Sequence, residues 1–286
     1  MLLPMFGMAQ SRFDSYFISP LQGVSGEGYQ GMDIWGDYLV SCQNKGVATV
    51  YRFDGTRMTK LGDSFLLGSY NVNNHSNVAS FGTTFYNKHD KLPLLYVSQA
   101  QKKMIGGRKD VLYVERINPD THISQLVQTI CFNDMNHNFG YALQWVVDRE
   151  HHFLYGYGNT INNSDVRNKH RIIKFHIPSL RDTLVVLNES DALENYLLED
   201  TFKEPFNPIG QGLLIYNGIL YMPTGVGDKP RPSMLYKWNL KKRSMCDIVD
   251  LTTTTESELE DCAVYKGALI VQSQKGIYKI VFHQKK

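Results

Sequence analysis

Two stretches of the chain set histidine among amides just ahead of an apolar run: Asn74-His75-Ser76-Asn77, leading to Phe81-Gly82, and Asn136-His137-Asn138, leading to Phe139-Gly140. Two more place glutamine before glycine, Gln30-Gly31-Met32 and Gln211-Gly212-Leu213, and a fifth of the same shape carries acids, Glu258-Leu259-Glu260-Asp261. Amides donate and accept hydrogen bonds at once, while imidazole and carboxyl groups can move a proton. Brought together they suit recognition of a polar ligand, with Glu260 or His75 as the acid or base of any reaction. Gln30, His75, Asn77, His137, Asn138, Gln211 and Glu260 are the candidate ligand-binding residues. No cofactor is expected, with one option kept open: a divalent ion shared by His75, His137 and Glu260. Each residue also has a plainer use, because Asn and His ahead of a strand commonly tie up the backbone of the preceding loop.

Established reaction signatures are absent from the sequence. It contains no GxSxG elbow, HExxH pair, phosphate-binding GxxxxGK[ST] loop or EF-hand spacing. The Gly-rich Gly23 to Gly28 has no strand–helix setting and reads as a loop, His151-His152 as a solvated turn, and Ile105-Gly106-Gly107-Arg108 as a hairpin turn. Tyr29, Trp35, Tyr141, Trp145 and Tyr157 lie near two of the polar phrases, where rings could stack on sugar faces. Alternation makes Trp35 and Trp145 core residues by preference.

Composition narrows the partners. Thirty Lys and Arg against 28 Asp and Glu leave a net charge of +2, without the basic excess that nucleic-acid binding through phosphates requires. No run of about eighteen apolar residues marks a membrane span. Met1 to Gln10 is mostly apolar and ends in Gly7-Met8-Ala9, which reads as the remnant of a secretory signal peptide. Residues 11–286 then form one domain of a secreted or periplasmic monomer. Cys42, Cys131, Cys246 and Cys262 are scattered without a CxxC pair, so buried free thiols are expected.

The elements that must position the polar phrases are strands. Short alternating runs bounded by Gly, Asn and Asp fill the chain, and one helix is expected, over Ser190 to Asp200. Taking Gly31, Gly82, Gly140, Gly212 and Glu260 as markers gives spacings of 51, 58, 72 and 48 residues. Units of about 40 to 50 residues are the period of four-stranded propeller blades, so the sequence predicts an all-β, five-bladed β-propeller. The last unit has three strands of its own, and Phe13 to Ile18 is spare at the other end of the chain. That N-terminal strand is predicted to close the last blade. In such a ring the marker phrases meet at one mouth of the central channel.

The phrases Gln30-Gly31-Met32, His75-x-Asn77 with Phe81-Gly82, and Pro93 to Ser98 resemble the propeller domain shared by TagC-like teichoic-acid proteins and some phage receptor-binding proteins. The Gln-Gly-apolar starts are similar to propeller-type glutaminyl cyclotransferases. The first resemblance implies a five-bladed propeller and, in its phage members, recognition of a cell-surface glycopolymer. The leading expectation is thus a propeller that binds a glycan or small polar ligand at the channel mouth. The alternatives are an enzyme, either a glutaminyl-cyclase-like acyl transferase or a polysaccharide lyase or hydrolase, and a protein-interaction platform.

Overall fold

Apolar alternation becomes a succession of short strands along the described residues. The computed structural model describes residues 12–283 except 102, 141–142, 162–164, 166 and 199–209, so the signal-like Met1 to Gln10 lies outside the described residues. A first strand, β1 (Phe13–Ser19), precedes blade 1, a meander of β2 (Tyr29–Trp35), β3 (Tyr38–Gln43), β4 (Val47–Phe53) and β5 (Met58–Lys60), with the short β6 (Phe65–Leu66) also on β4. Blade 2 follows with β7 (Val78–Phe81), β8 (Leu95–Ser98), β9 (Val111–Asn118) and β10 (Ile123–Asn133), and blade 3 with β11 (Gln144–Asp148), β12 (Phe153–Asn159) and β13 (His170–His176). The chain then turns back. Strand β14 (Leu184–Asn188) pairs in parallel with β10, adding a fifth strand to blade 2, before β15 (Glu194–Leu197) completes blade 3.

Blade 4 is β16 (Leu214–Tyr216), β17 (Ile219–Thr224), β18 (Met234–Asn239) and β19 (Ser244–Asp250). Blade 5 is β20 (Leu259–Tyr265), β21 (Ala268–Ser273) and β22 (Gly276–Phe282), with β1 antiparallel to β22 and Phe13 opposite Phe282. The N-terminal strand therefore closes the last blade, as predicted, and covers an edge that would otherwise be open to pairing. The five inner strands β2, β7, β11, β16 and β20 each touch the next around the ring. The protein is a five-bladed β-propeller.

Each wedge between neighbouring sheets holds its own apolar cluster. Val50 and Phe81 fill the wedge of blades 1 and 2, Trp145 and Phe175 that of blades 2 and 3, and Met222 and Trp238 that of blades 3 and 4. Val249 and Val271 fill the wedge of blades 4 and 5, and Met32 and Ile270 the last. Truncating a fully buried ring such as Trp145 in a packed wedge costs about 3–5 kcal/mol.

Three expectations need correction. The helix expected over Ser190 to Asp200 does not form across its described residues 190–198: Glu189–Asp191 makes one 3-10 turn begun by Asn188, and Glu194–Leu197 pairs with Arg171 to Lys174 as the outer strand of blade 3. An open strand edge on β13 outweighs the helical spacing of Leu193, Tyr196 and Leu197. Gly82 follows β7 instead of opening it, so the marker phrases are not equivalent positions. Of the four free cysteines, Cys246 is exposed while the other three are buried.

Candidate functional site

Four of the five polar phrases converge where the inner strands begin, referred to below as the upper end of the axis. Two β-bulges do the local work. The register of β2 on β3 shifts between Tyr29 and Met32, and that of β20 on β21 between Leu259 and Asp261. An extra residue in a strand re-aims side chains that strict alternation would send to opposite faces, and Gln30, Glu260 and Asp261 are all buried as a result. The glycines of the Gln-Gly phrases answer crowding at the axis. A Cβ on Gly31 would run into the backbone of Ser76 and Ala79, and one on Gly212 into Asp261.

Asp261 closes the middle of the channel. One carboxyl oxygen accepts the N–H groups of Met32 (2.8 Å) and Ala79 (3.2 Å), the other those of Leu213 (3.1 Å) and Cys262 (2.9 Å). Four blades are thereby tied to one side chain. Burial is the largest influence on this carboxyl and pushes its pKa upward, while the four N–H donations oppose it.

Above Asp261 lies a ring of amides. The Gln144 amide donates to the Asn77 carbonyl and to the backbone carbonyl of Gln211, joining blades 2, 3 and 4. Gln211 in turn donates to Glu258 (2.6 Å). On the other side, Gln274 donates to Glu260 Oε1 (2.6 Å) and to the Tyr29 carbonyl (2.9 Å), and Gln272 donates to the Gln30 carbonyl while accepting from Ser41 (2.7 Å). Two oxygens in this ring have no partner although both are buried: Oε1 of Gln30 and Oε2 of Glu260. Native proteins rarely leave such atoms unanswered unless water or a ligand meets them.

Electrostatics set the ring apart. Burial, first, and then the nearby Glu258 push the Glu260 carboxyl well above its ordinary value, with Asp261 adding to the shift and the Gln274 hydrogen bond opposing it. Glu260 therefore holds its proton more firmly than an ordinary carboxyl. Among the described residues no cation forms an ion pair with Glu258, Glu260 or Asp261, and Arg231, which feels Glu258, is held by Asp228. His75 sits beside Asn44, its Nδ1 2.7 Å from the side-chain oxygen Oδ1 of Asn44. Burial lowers its pKa to about 4, so it is neutral at pH 7. A cavity of about 190 Å³ opens at His75, lined also by Asn44, Asn74 and Lys103.

Of the residues singled out from sequence, Gln30, Asn77, Gln211 and Glu260 stand in this ring and His75 borders it. His137 and Asn138 do not join it. His137 is exposed, and the Asn138 side chain is fastened to Glu189 while its N–H reaches Asp134 (2.8 Å). Among the described residues no three His, Cys, Asp or Glu side chains are gathered so as to hold a metal ion, so His75, His137 and Glu260 do not form the set considered above. Gln144 is the member that sequence reading missed, and its signal was present: like Gln30 and Gln211, it stands just before an apolar run. Of the named aromatics, Trp145 and Tyr157 are buried between sheets, Trp35 lies at the opposite end of β2, and Tyr141 lies outside the described residues.

No family model matches the chain, and no curated protein matches it in sequence. Solved structures do match in shape. Glutaminyl cyclase of Myxococcus xanthus is similar over 96% of this chain and 98% of its own, with a TM-score of 0.52 at 11% identity. The tail fiber of Staphylococcus aureus phage P68 is similar over 94% of this chain but 52% of its own, with a TM-score of 0.51 at 9% identity. At these identities the likeness establishes the fold. Among the described residues no helix is long and apolar enough to cross a membrane.

Proposed function

We propose that the upper end of the axis binds a small polar ligand bearing an amine or a primary amide, and that the protein is an enzyme of the glutaminyl-cyclase type. The observation that carries this reading is the pair of buried, partnerless oxygens, Gln30 Oε1 and Glu260 Oε2. Gln30 Oε1 accepts, while the protonated Glu260 can donate through Oε2 because Oε1 already accepts from Gln274, so a group that offers both N–H donors and an acceptor atom satisfies the pair. Carboxyl groups without an ion pair favour an amine over an acid. The matching shape of a glutaminyl cyclase along nearly its whole length supports the choice of reaction.

The step balances without a cofactor. The α-amine of an N-terminal glutaminyl residue attacks its own side-chain amide carbon and closes a five-membered lactam. Glu260 gives its proton to the departing nitrogen, which leaves as ammonia, and the resulting carboxylate takes the proton released by the attacking amine. The amides of Asn77, Gln144 and Gln211 would orient the peptide backbone. Ammonia release from N-terminal glutaminyl dipeptides is expected from the wild type and lost in Glu260→Gln, a variant whose Tm does not fall below that of the wild type. Wild-type protein that releases none rejects the enzymatic reading.

Recognition of a glycan is the second reading, favoured by the neutral state of His75 and the amides around it, which suit sugar hydroxyls. A glycan array run on the wild type beside the Gln144→Ala variant tests it. Binding that survives the substitution would move the sugar away from the ring.

A further inference from the structure

The lower end of the axis carries a second cavity of different chemistry. It measures about 600 Å³ and is lined by the inner hairpins of three blades: Ile34, Trp35 and Asp37 from blade 1, Arg149 from blade 3, and Tyr265 and Lys266 from blade 5. That volume lies within the range of small-molecule sites.

Arg149 is the central feature. It leaves the β11–β12 turn and crosses to other blades, donating through Nε to the Phe81 carbonyl (2.9 Å), through one terminal nitrogen to the Ile34 carbonyl (3.2 Å), and through the other to Asp33. A guanidinium has five N–H groups. Three are used, and each terminal nitrogen keeps one. The group is not sealed in, since its side chain is 26% exposed. Asp33 neutralises the guanidinium, and Asp37 is neutralised by Arg52 at 2.6 Å. Lys266 stands exposed in the β20–β21 turn, its ammonium 4.9 Å from the Tyr265 ring centroid, with no carboxylate among the described residues paired to it. The unanswered charge of the cavity is therefore one positive charge. Beside it lie two flat surfaces, Tyr265 and Trp35, with the Arg149 guanidinium 5.9 Å from the Trp35 ring centroid.

We infer that this lower cavity binds a small organic anion with a planar body, its carboxylate or phosphate held between the spare Arg149 donors and Lys266 and its ring laid against Trp35. The fork of N–H groups on arginine fits an oxyanion, and lysine contributes as a point charge. The site is separate from the amide ring, with Asp261 and Asp33 between them along the inner strands, and it stands whether or not the upper end is catalytic.

Trp35 provides the readout, because Trp145 and Trp238 are buried in the wedges. Benzoate and phenyl phosphate are titrated into the full chain while tryptophan fluorescence is followed, with benzyl alcohol as the uncharged counterpart. Saturable changes are expected with one or both anions at Kd below about 10 mM, and which anion binds tighter separates the carboxylate from the phosphate source. Lys266→Ala should weaken binding by about fivefold, and Lys266→Glu should abolish it; both changes lie in an exposed turn and leave the Tm unaltered. Trp35→Phe should silence the fluorescence while calorimetry still records binding. A response to benzyl alcohol equal to that of benzoate, unchanged affinity in Lys266→Glu, or no saturable change with either anion each overturns the site.

Discussion

The two ends of the axis start from the same hairpins and treat buried charge in opposite ways. At the lower end Asp33 is answered within the protein. Arg149 crosses from blade 3 to reach it and uses its remaining contacts on the carbonyls of blades 1 and 2. At the upper end Glu258, Glu260 and Asp261 share one short stretch, and none is met by an arginine or lysine among the described residues. Asp261 is satisfied by backbone N–H groups, but Glu260 keeps one oxygen unpartnered. A charge answered by the protein itself holds blades together. One left neutral and half-satisfied is open to something that arrives. The contrast separates a structural buried acid from a candidate functional one, although both are equally inaccessible to solvent.

Opening the ring is the most drastic way to break that comparison, since both ends depend on closed geometry. Deleting residues 11–19 removes β1 and exposes the edge of β22; Tm should fall by about 10–20 °C, and an unchanged melt would show that closure contributes nothing. Next comes the middle of the axis. Asp261→Asn turns an NH₂ group toward two backbone N–H donors, and denaturant titration should find about 3–5 kcal/mol of stability lost. Arg149→Met should cost about 3–4 kcal/mol at pH 7 by stranding Asp33. Most of that loss should vanish when Asp33→Asn is added, and a cycle showing simple additivity would deny that the two groups answer one another.

The smallest effect distinguishes the ends most sharply. Glu260 keeps its proton in the folded protein at pH values where the unfolded chain has released it. Its contribution is therefore complete below the ordinary value of 4.5 and declines as pH rises through the folded pKa. Glu260→Gln cannot titrate, so its Tm should exceed that of the wild type by about 2–4 °C at pH 8 and match it at pH 4. His75 works in the other direction. Its folded pKa of about 4 lies below 6.5, so the unfolded chain takes up the proton first, and stability drains away as pH falls through that window. A His75→Gln variant should lose less stability than the wild type between pH 6.5 and 4. Parallel pH profiles for the two proteins would mean that His75 is not buried in neutral form.

Much of this arrangement could be read from residue order because propeller blades repeat. The Gln-Gly phrases announced inner strands, and the spare Phe13 to Ile18 announced the closing strand. The second histidine phrase misled for a physical reason: Asn136 and Asn138 resemble the ring-forming amides but serve to fasten a loop to Glu189. The helical spacing at Leu193 to Leu197 misled because an unpaired strand edge lay nearby, which no local pattern reports. Arg149 was beyond reach altogether. An arginine in a hairpin turn reads as solvated, and its partner Asp33 is on another blade and remote in the chain. The bulges that turn Gln30 and Glu260 inward likewise leave no mark in the order of residues.

The pairing of β1 with β22 also orders events during synthesis. Strand β1 is made well before β22 and has no partner until β22 has emerged, so blades 1 to 4 can form while blade 5 still lacks its outer strand pairing. Until then the half-apolar Phe13–Ser19 trails unpaired beside an open sheet edge, and its exposed Tyr16 and Phe17 are available to any other nascent chain. Ring closure is thus a late, long-range step whose delay is set by the length of the message rather than by the chemistry of the strands.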